Sequence, residues 1–277
     1  MLRDVKGLEG YAITAADSAI GHVKDFYFDD EQWVIRYLVV EAGSWLASRM
    51  VLISPISVGV PEWTRRQLPV RISREQVEKS PGIDTHKPVS RQHEMDYQMH
   101  YGYPAYWGGG GLWGEGLYPS SLLPGYDDLG STSAAAGAPA ERVHEKREEV
   151  RRHDDDPHLR SCQAVTGYHI RATDGEIGHV EGMLVDDSTW AILYLVVNTS
   201  NWWLGHKVLI APAWIQDVSW FESTVSIKVS RQAVKDAPPY DPNQPLDHEQ
   251  EMRLYRHYGR PGFWAGAEIV ESDILRI

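Results

Sequence analysis

The chain has 277 residues, 42% of them apolar and 24% charged, with a net charge of −12 and one cysteine. That length suits two ordinary domains with a small core each, and Cys162 alone leaves no internal disulfide, so folding must rest on packing. The acidic balance extends through every segment without a basic surplus, which disfavours nucleic acid and anionic membrane surfaces as partners.

The N-terminus, MLRDVKGLEGYAITAAD, mixes charged and apolar residues, and no secretory signal is expected from it. No stretch approaches the run of apolar residues that a membrane-spanning helix needs, so no membrane insertion is expected and the cytoplasm is the expected compartment. Residues 34–40 (VIRYLVV) are apolar on both faces of a period-2 strand with Arg36 as the interruption, which predicts a strand buried on both sides. The polar break just before it, Asp29-Asp30, predicts a hairpin loop. Further strands are expected at about 50–60 and 67–72. Ser73 with Gln76 in the capping-box position opens a short helix that Pro81 ends, and a last helical segment at about 90–101 stops at Gly102, with Pro104 following.

Residues 108–159 contain a glycine-aromatic stretch (GGGGLWGEGLYP), a spacer (STSAAAGAPA) and a charged run (ERVHEKREEVRRHDDD). Such composition favours a flexible linker, because it buries too little to offset ordering entropy. The alternative is that Trp113, Tyr118 and Tyr126 dock onto a folded unit or a partner.

Beyond the linker the chain repeats itself. Adding 157 to each number from Arg3 to Trp107 gives an ungapped match to Arg160–Trp264 with about 37 identical positions. DSAIGHVKDFYFDD recurs as DGEIGHVEGMLVDD, MVLISP as KVLIAP, and HYGYPAYW as HYGRPGFW. The expected layout is a first domain at 1–107, a linker at 108–159, a second domain at 160–264 and a tail at 265–277. Short strands at this spacing predict a mainly β fold of two tandem small barrels, each followed by short C-terminal helical segments.

The run GHVEGMLVDDSTWAILYLVV, followed by KVLIAPAWI, IKVSRQAVKDAPPYDP and LYRHYGRPGFW, resembles the PRC-barrel family, and the first repeat resembles a more divergent member. The family takes its name from the photosynthetic reaction centre H subunit and includes the C-terminal domain of the ribosome maturation factor RimM. The resemblance implies barrels that bind other proteins and carry no catalytic apparatus or cofactor. It also supplies an alternative: a peripheral component of a photosynthetic or electron-transport membrane complex, resembling the H subunit without its membrane anchor and associating through protein contacts.

Asp29, Asp30, Asp186 and Asp187 form a repeated acidic turn. Paired carboxylates of this kind can hold a cation or relay protons, but turn chemistry is the favoured reading. His93-Glu94 and His248-Glu249 lack the second histidine of a zinc-protease motif, so no metal site and no catalytic residue is assigned. The histidines shared by both repeats, His100 and His257 among them, suggest a structural task performed twice. Trp203 and Trp214 stand only in the second repeat, where the first has Leu46 and Ser57. With Trp113 and Tyr118 they make up the expected surface for a protein partner. Because two copies of one self-complementary patch can face each other, intramolecular pairing of the repeats or a homo-oligomer is also expected.

Overall fold

The computed structural model describes residues 1–15, 18–43, 49–85, 88–123, 158–199 and 206–262. Trp203, Tyr126, linker residues 124–157 and the tail 265–277 lie outside the described residues. The chain separates into two units. Unit 1 gathers Met1, Arg3–Ala164 and Val185–Ile192; unit 2 gathers Leu2, Val165–Leu184 and Leu193–Ile277. These units do not follow the repeat boundaries, since residues from both repeats build unit 1.

The fold is mainly β, in two sheets. The first is formed by β2 (Ala12–Thr14), β3 (Ala19–Asp29), β4 (Val34–Ala42), β5 (Met50–Ile53) and β6 (Gln67–Pro69), in the order β5-β4-β3-β2-β6, with β7 (Leu159–Ser161) added on β3. The second holds β8 (His169–Ala172), β9 (Gly175–Asp186), β10 (Ile192–Asn198), β11 (Lys207–Ile210), β12 (Ile215–Ser219) and β13 (Thr224–Ile227), in the order β11-β10-β9-β8-β13-β12, with β1 (Leu2–Asp4) on β9. The pairs β2–β3, β3–β4, β4–β5, β3–β7, β8–β9, β10–β11 and β12–β13 are antiparallel, whereas β2 with β6 and β8 with β13 run parallel. Among the described residues these ladders run open from edge to edge, where closed barrels were expected.

Val34 to Val40 are all buried, as the two-sided apolar pattern requires. The strand expected over 50–60 stops at Ile53, because Pro55 opens a 3-10 turn over Pro55–Ser57. The second repeat makes the same turn at Pro212–Trp214 but then continues as β12. Gln216 and Val218 replace Gly59 and Pro61 there, and both can hold a place in a ladder that proline cannot.

The helices fall where the punctuation predicts them: α1 at Arg74–Glu78, α2 at Arg91–Tyr101, α4 at Arg231–Lys235 and α5 at His248–His257, with a single turn, α3, at Cys162–Val165. Ser73 and Gln76 form the reciprocal capping box, and Gly102 ends α2 in the left-handed conformation at φ 69°. His100 Nε2 meets the Gln76 carbonyl at 2.8 Å and His257 Nε2 meets the Ala233 carbonyl at 2.7 Å. The repeated histidines therefore fasten each long helix to the short one before it.

Gly21 and Gly178 hold corresponding positions, and a Cβ at either would lie 2.0 Å from a backbone oxygen, of Glu41 or Asn198. Gly178 also has φ 147°, a conformation open to glycine and strained for any other residue. Gly178→Ala is expected to lower stability by about 3 kcal/mol or more, because backbone rather than a flexible side chain must move. Urea unfolding of the variant beside wild type measures this.

Candidate functional site

Arg36, the interruption in the apolar strand β4, is the seed of a buried polar cluster in unit 1. Its side chain is 1% exposed and ion-pairs with Asp29 at 3.1 Å. It also donates to Gln32 Oε1 at 2.7 Å and to the carbonyl of Leu112. The rings of Tyr106 and Trp113 lie 4.0 Å and 4.8 Å from the guanidinium carbon. Arginine suits this place because its weakly hydrated planar head stacks on aromatic faces while its N–H groups satisfy fixed acceptors.

Beside it, Glu94 of α2 is wholly buried. Its carboxylate receives Arg91 Nη1 at 3.2 Å, His158 Nε2 at 2.9 Å, the Tyr37 hydroxyl at 3.3 Å and the Tyr106 hydroxyl. Burial first, and the Glu94 charge second, push the Tyr37 and Tyr106 hydroxyls well above the ordinary phenol range, so both stay protonated and donate. A carboxylate has about four acceptor positions, and four donors fill those of Glu94. The group therefore joins β4, α2, the segment after α2 and the residue before β7, and has no acceptor position left for a substrate. In unit 2 the Tyr194 hydroxyl likewise donates to Glu251, the counterpart of Glu94, at 2.9 Å, with Leu193 at the position of Arg36 and His248 at that of Arg91.

The described part of the expected linker is packed. Residues 106–123 form a strap in which Gly114 N–H donates to the Tyr106 carbonyl at 2.8 Å and Trp113 N–H to the Gly116 carbonyl at 2.9 Å. Its glycines permit tight crossings, since a Cβ at Gly109 or Gly111 would lie 2.2 Å or 2.3 Å from the backbone of Gly114 or Gly116. Trp113 is fully buried and its Nε1–H donates to the Thr189 carbonyl at 2.8 Å. Trp113 is thus an internal anchor and not a partner-facing residue, which corrects the expectation for it. Leu117 and Tyr118 on the same strap are 57% and 46% exposed.

Trp214 requires the same correction, being 3% exposed. Its ring lies 4.6 Å from that of Tyr258, whereas in the first repeat the corresponding Tyr101 meets Tyr97 at 4.7 Å. The second repeat has Leu254 at the position of Tyr97 and Trp214 at that of Ser57, so the ring beside the shared tyrosine comes from a different chain position. A cleft of about 210 Å³ remains beside Leu254, lined also by Leu209, Tyr240 and Leu246, with Gln250 and Arg253.

The repeated acidic turn divides its labour. Asp29 Oδ1 accepts the Glu31 and Gln32 amides, and Asp186 Oδ1 accepts those of Ser188 and Thr189. Asp30 instead binds Arg160 at 2.7 Å, and Asp187 binds Arg3 at 3.1 Å. Corresponding residues thus clasp corresponding arginines. Burial acts to raise the Asp186 pKa, but the Thr189 amide and hydroxyl bonds outweigh it, and the net shift is downward. Among the described residues no three His, Cys, Asp or Glu side chains are grouped to hold a metal. Cys162 is buried, and burial raises its thiol well above the usual range, which removes it as a nucleophile at neutral pH.

Residues 2–63 match the PRC-barrel domain. The PRC-barrel match takes in β1 to β5, the turn at Asp29 and Asp30, and Arg36. It ends before α2, so Glu94 and the strap lie outside it, and the second sheet is not assigned to the family. No curated protein matches the chain. Among the described residues no helix is long and apolar enough to cross a membrane.

Asp25 ties the start of α3 to β3 by accepting from the Ser161 hydroxyl and the Gln163 amide, the latter at 3.1 Å. Burial raises its pKa despite those bonds, so at neutral pH the folded state bears the cost of a buried charge. Asp25→Asn keeps an acceptor and removes the charge. It is expected to match or exceed wild-type stability at neutral pH. The advantage fades as pH falls through the raised pKa of Asp25, where wild type gains a proton. Thermal unfolding of both proteins across that range provides the check.

Proposed function

We propose that the chain is a non-catalytic protein-interaction or scaffolding module built from two PRC-barrel-like repeats, the second at residues 160–264, acting in the cytoplasm. The observation that carries this reading is the strap. Trp113, wholly buried against Arg36, fixes a glycine-dense loop that holds Leu117 and Tyr118 in solvent. Apolar side chains presented on an already ordered loop lose little freedom on binding, which is how a preorganised surface gains affinity. Tyrosine is moreover favoured at the centres of interfaces. The conspicuous ionisable groups support the same reading, because Glu94, Asp29, Asp30 and Asp187 are engaged in holding chain segments together.

The test is affinity purification of the tagged chain from its native cells, keeping soluble and membrane fractions apart, for wild type and a Leu117→Ala/Tyr118→Ala double variant. A stoichiometric soluble partner lost from the variant, with unfolding unchanged, is the expected result. Recovery with an energy-transducing membrane complex would move the assignment to an H-subunit-like peripheral component. A partner set indifferent to the double variant would overturn the strap as the binding surface.

A further inference from the structure

The strand β7 completes a sheet from which residues 124–157 separate it. It pairs antiparallel with β3, Leu159 opposite Asp29, Arg160 opposite Phe28 and Ser161 opposite Tyr27. The flanking contacts are dense. Asp30 N–H donates to the His158 carbonyl at 3.0 Å, Arg160 reaches Asp30 at 2.7 Å, and Gln163 Nε2 reaches the Lys24 carbonyl at 3.0 Å. Leu159 and Cys162 are 6% and 5% exposed. Its counterpart in the first repeat is β1, which carries the same Leu-Arg pair at Leu2-Arg3. Yet β1 pairs with β9 and not with β3. Each repeat therefore lends its opening strand to the long hairpin strand of the other repeat.

We propose that the β3 edge is an acceptor site for an extended Leu-Arg-Ser segment, and that a second copy of this chain supplies it in a reciprocal strand-exchanged dimer. The backbone ladder, the Asp30–Arg160 pair and the Glu94–His158 contact are the same whether β7 belongs to the same molecule or to another. Only the tether distinguishes the two forms. A strand of the same chain competes at a concentration that does not fall on dilution, so the closed monomer dominates in dilute solution. Exchange is favoured by refolding at high concentration, and the dimer then persists because reversal must extract Leu159 and Cys162 from the core. Exchange of an identical element between protomers is a low-cost route to dimers of this kind.

The experiment uses the full chain with a protease recognition sequence placed within residues 124–157, refolded from urea at micromolar and at near-millimolar concentration and sized by chromatography with light scattering. A dimer is expected only from the concentrated refolding, and proteolysis at the inserted site should return it to monomer size, since each cut leaves one complete set of strands. A second measurement mixes Asp30→Arg with Arg160→Asp chains during refolding. Each variant mispairs with itself, but exchange between the two restores both ion pairs, so a severalfold excess of mixed dimer over either variant alone is expected. A dimer in either experiment that falls to monomer size on cleavage supports the proposal. Monomers in both, or dimers that keep their size after cleavage, overturn it.

Discussion

Replacing Glu94 with alanine is expected to cost unit 1 about 3–5 kcal/mol, the range for removing one partner from a fully buried ionic group. The loss is large because Arg91, His158 and the hydroxyls of Tyr37 and Tyr106 all direct donors at that carboxylate, and the two hydroxyls are left fully buried. Glu94→Gln retains the shape but not the charge and should recover part of the loss. The corresponding Glu251→Ala is expected to cost less, since Glu251, which accepts from the Tyr194 hydroxyl, is half-buried and not enclosed as Glu94 is. Urea unfolding of the three variants measures the difference. Equal losses at Glu94 and Glu251 would show that the cluster is not what holds unit 1 together.

Trp113→Ala is the second large effect, expected at about 3–5 kcal/mol for truncating a buried tryptophan. It removes a stacking partner of Arg36 and the Nε1–H bond to the Thr189 carbonyl, so the strap loses its anchor while its backbone remains intact. Two readouts separate anchoring from mere packing. Amide exchange should rise across residues 108–123 ahead of the sheet core, and capture of the partner should fall even under conditions where the variant stays folded. Trp113→Phe, which refills much of the volume without the N–H, is expected to restore most of the stability and part of the strap's protection. If Trp113→Ala leaves partner capture intact while the strap exchanges freely, preorganisation of Leu117 and Tyr118 is not the basis of binding.

The two predictions meet at Arg36. In the second repeat leucine takes its place, and the acidic turn still forms, with Asp186 accepting the Ser188 and Thr189 amides. The turn therefore does not depend on the arginine. What Arg36 adds is an attachment for the strap, through the Leu112 carbonyl and the faces of Tyr106 and Trp113.

Local chemistry in the sequence determined the elements whose causes are local. Val34 to Val40 are apolar on both faces and are buried on both faces. Ser73 with Gln76 starts a helix, Gly102 ends one, and Asp29-Asp30 occupies a hairpin loop, because caps and turns are settled by residues a few positions apart. The repeat offset of 157 likewise revealed the correspondence that Gly21 and Gly178, or Asp30 and Asp187, obey. Arg36 was visible as a charge inside a buried strand, though its pairing with Asp29 came from the tertiary structure.

The tertiary structure alone decided the rest, because the remaining partners are distant in the chain. Glu94 and His158 lie 64 positions apart, and no periodicity links them. Trp214 suggested exposure because it stands in the second repeat alone, and Trp113 was read as docking onto either a folded unit or a partner, but residue type cannot say whether neighbouring volume is filled; beside Trp214, Leu254 stands where the first repeat has Tyr97. The exchange of β1 and β7 was equally hidden. Both strands carry Leu-Arg and either hairpin would satisfy their backbone bonds, so the choice of sheet is made by global packing and not by local propensity.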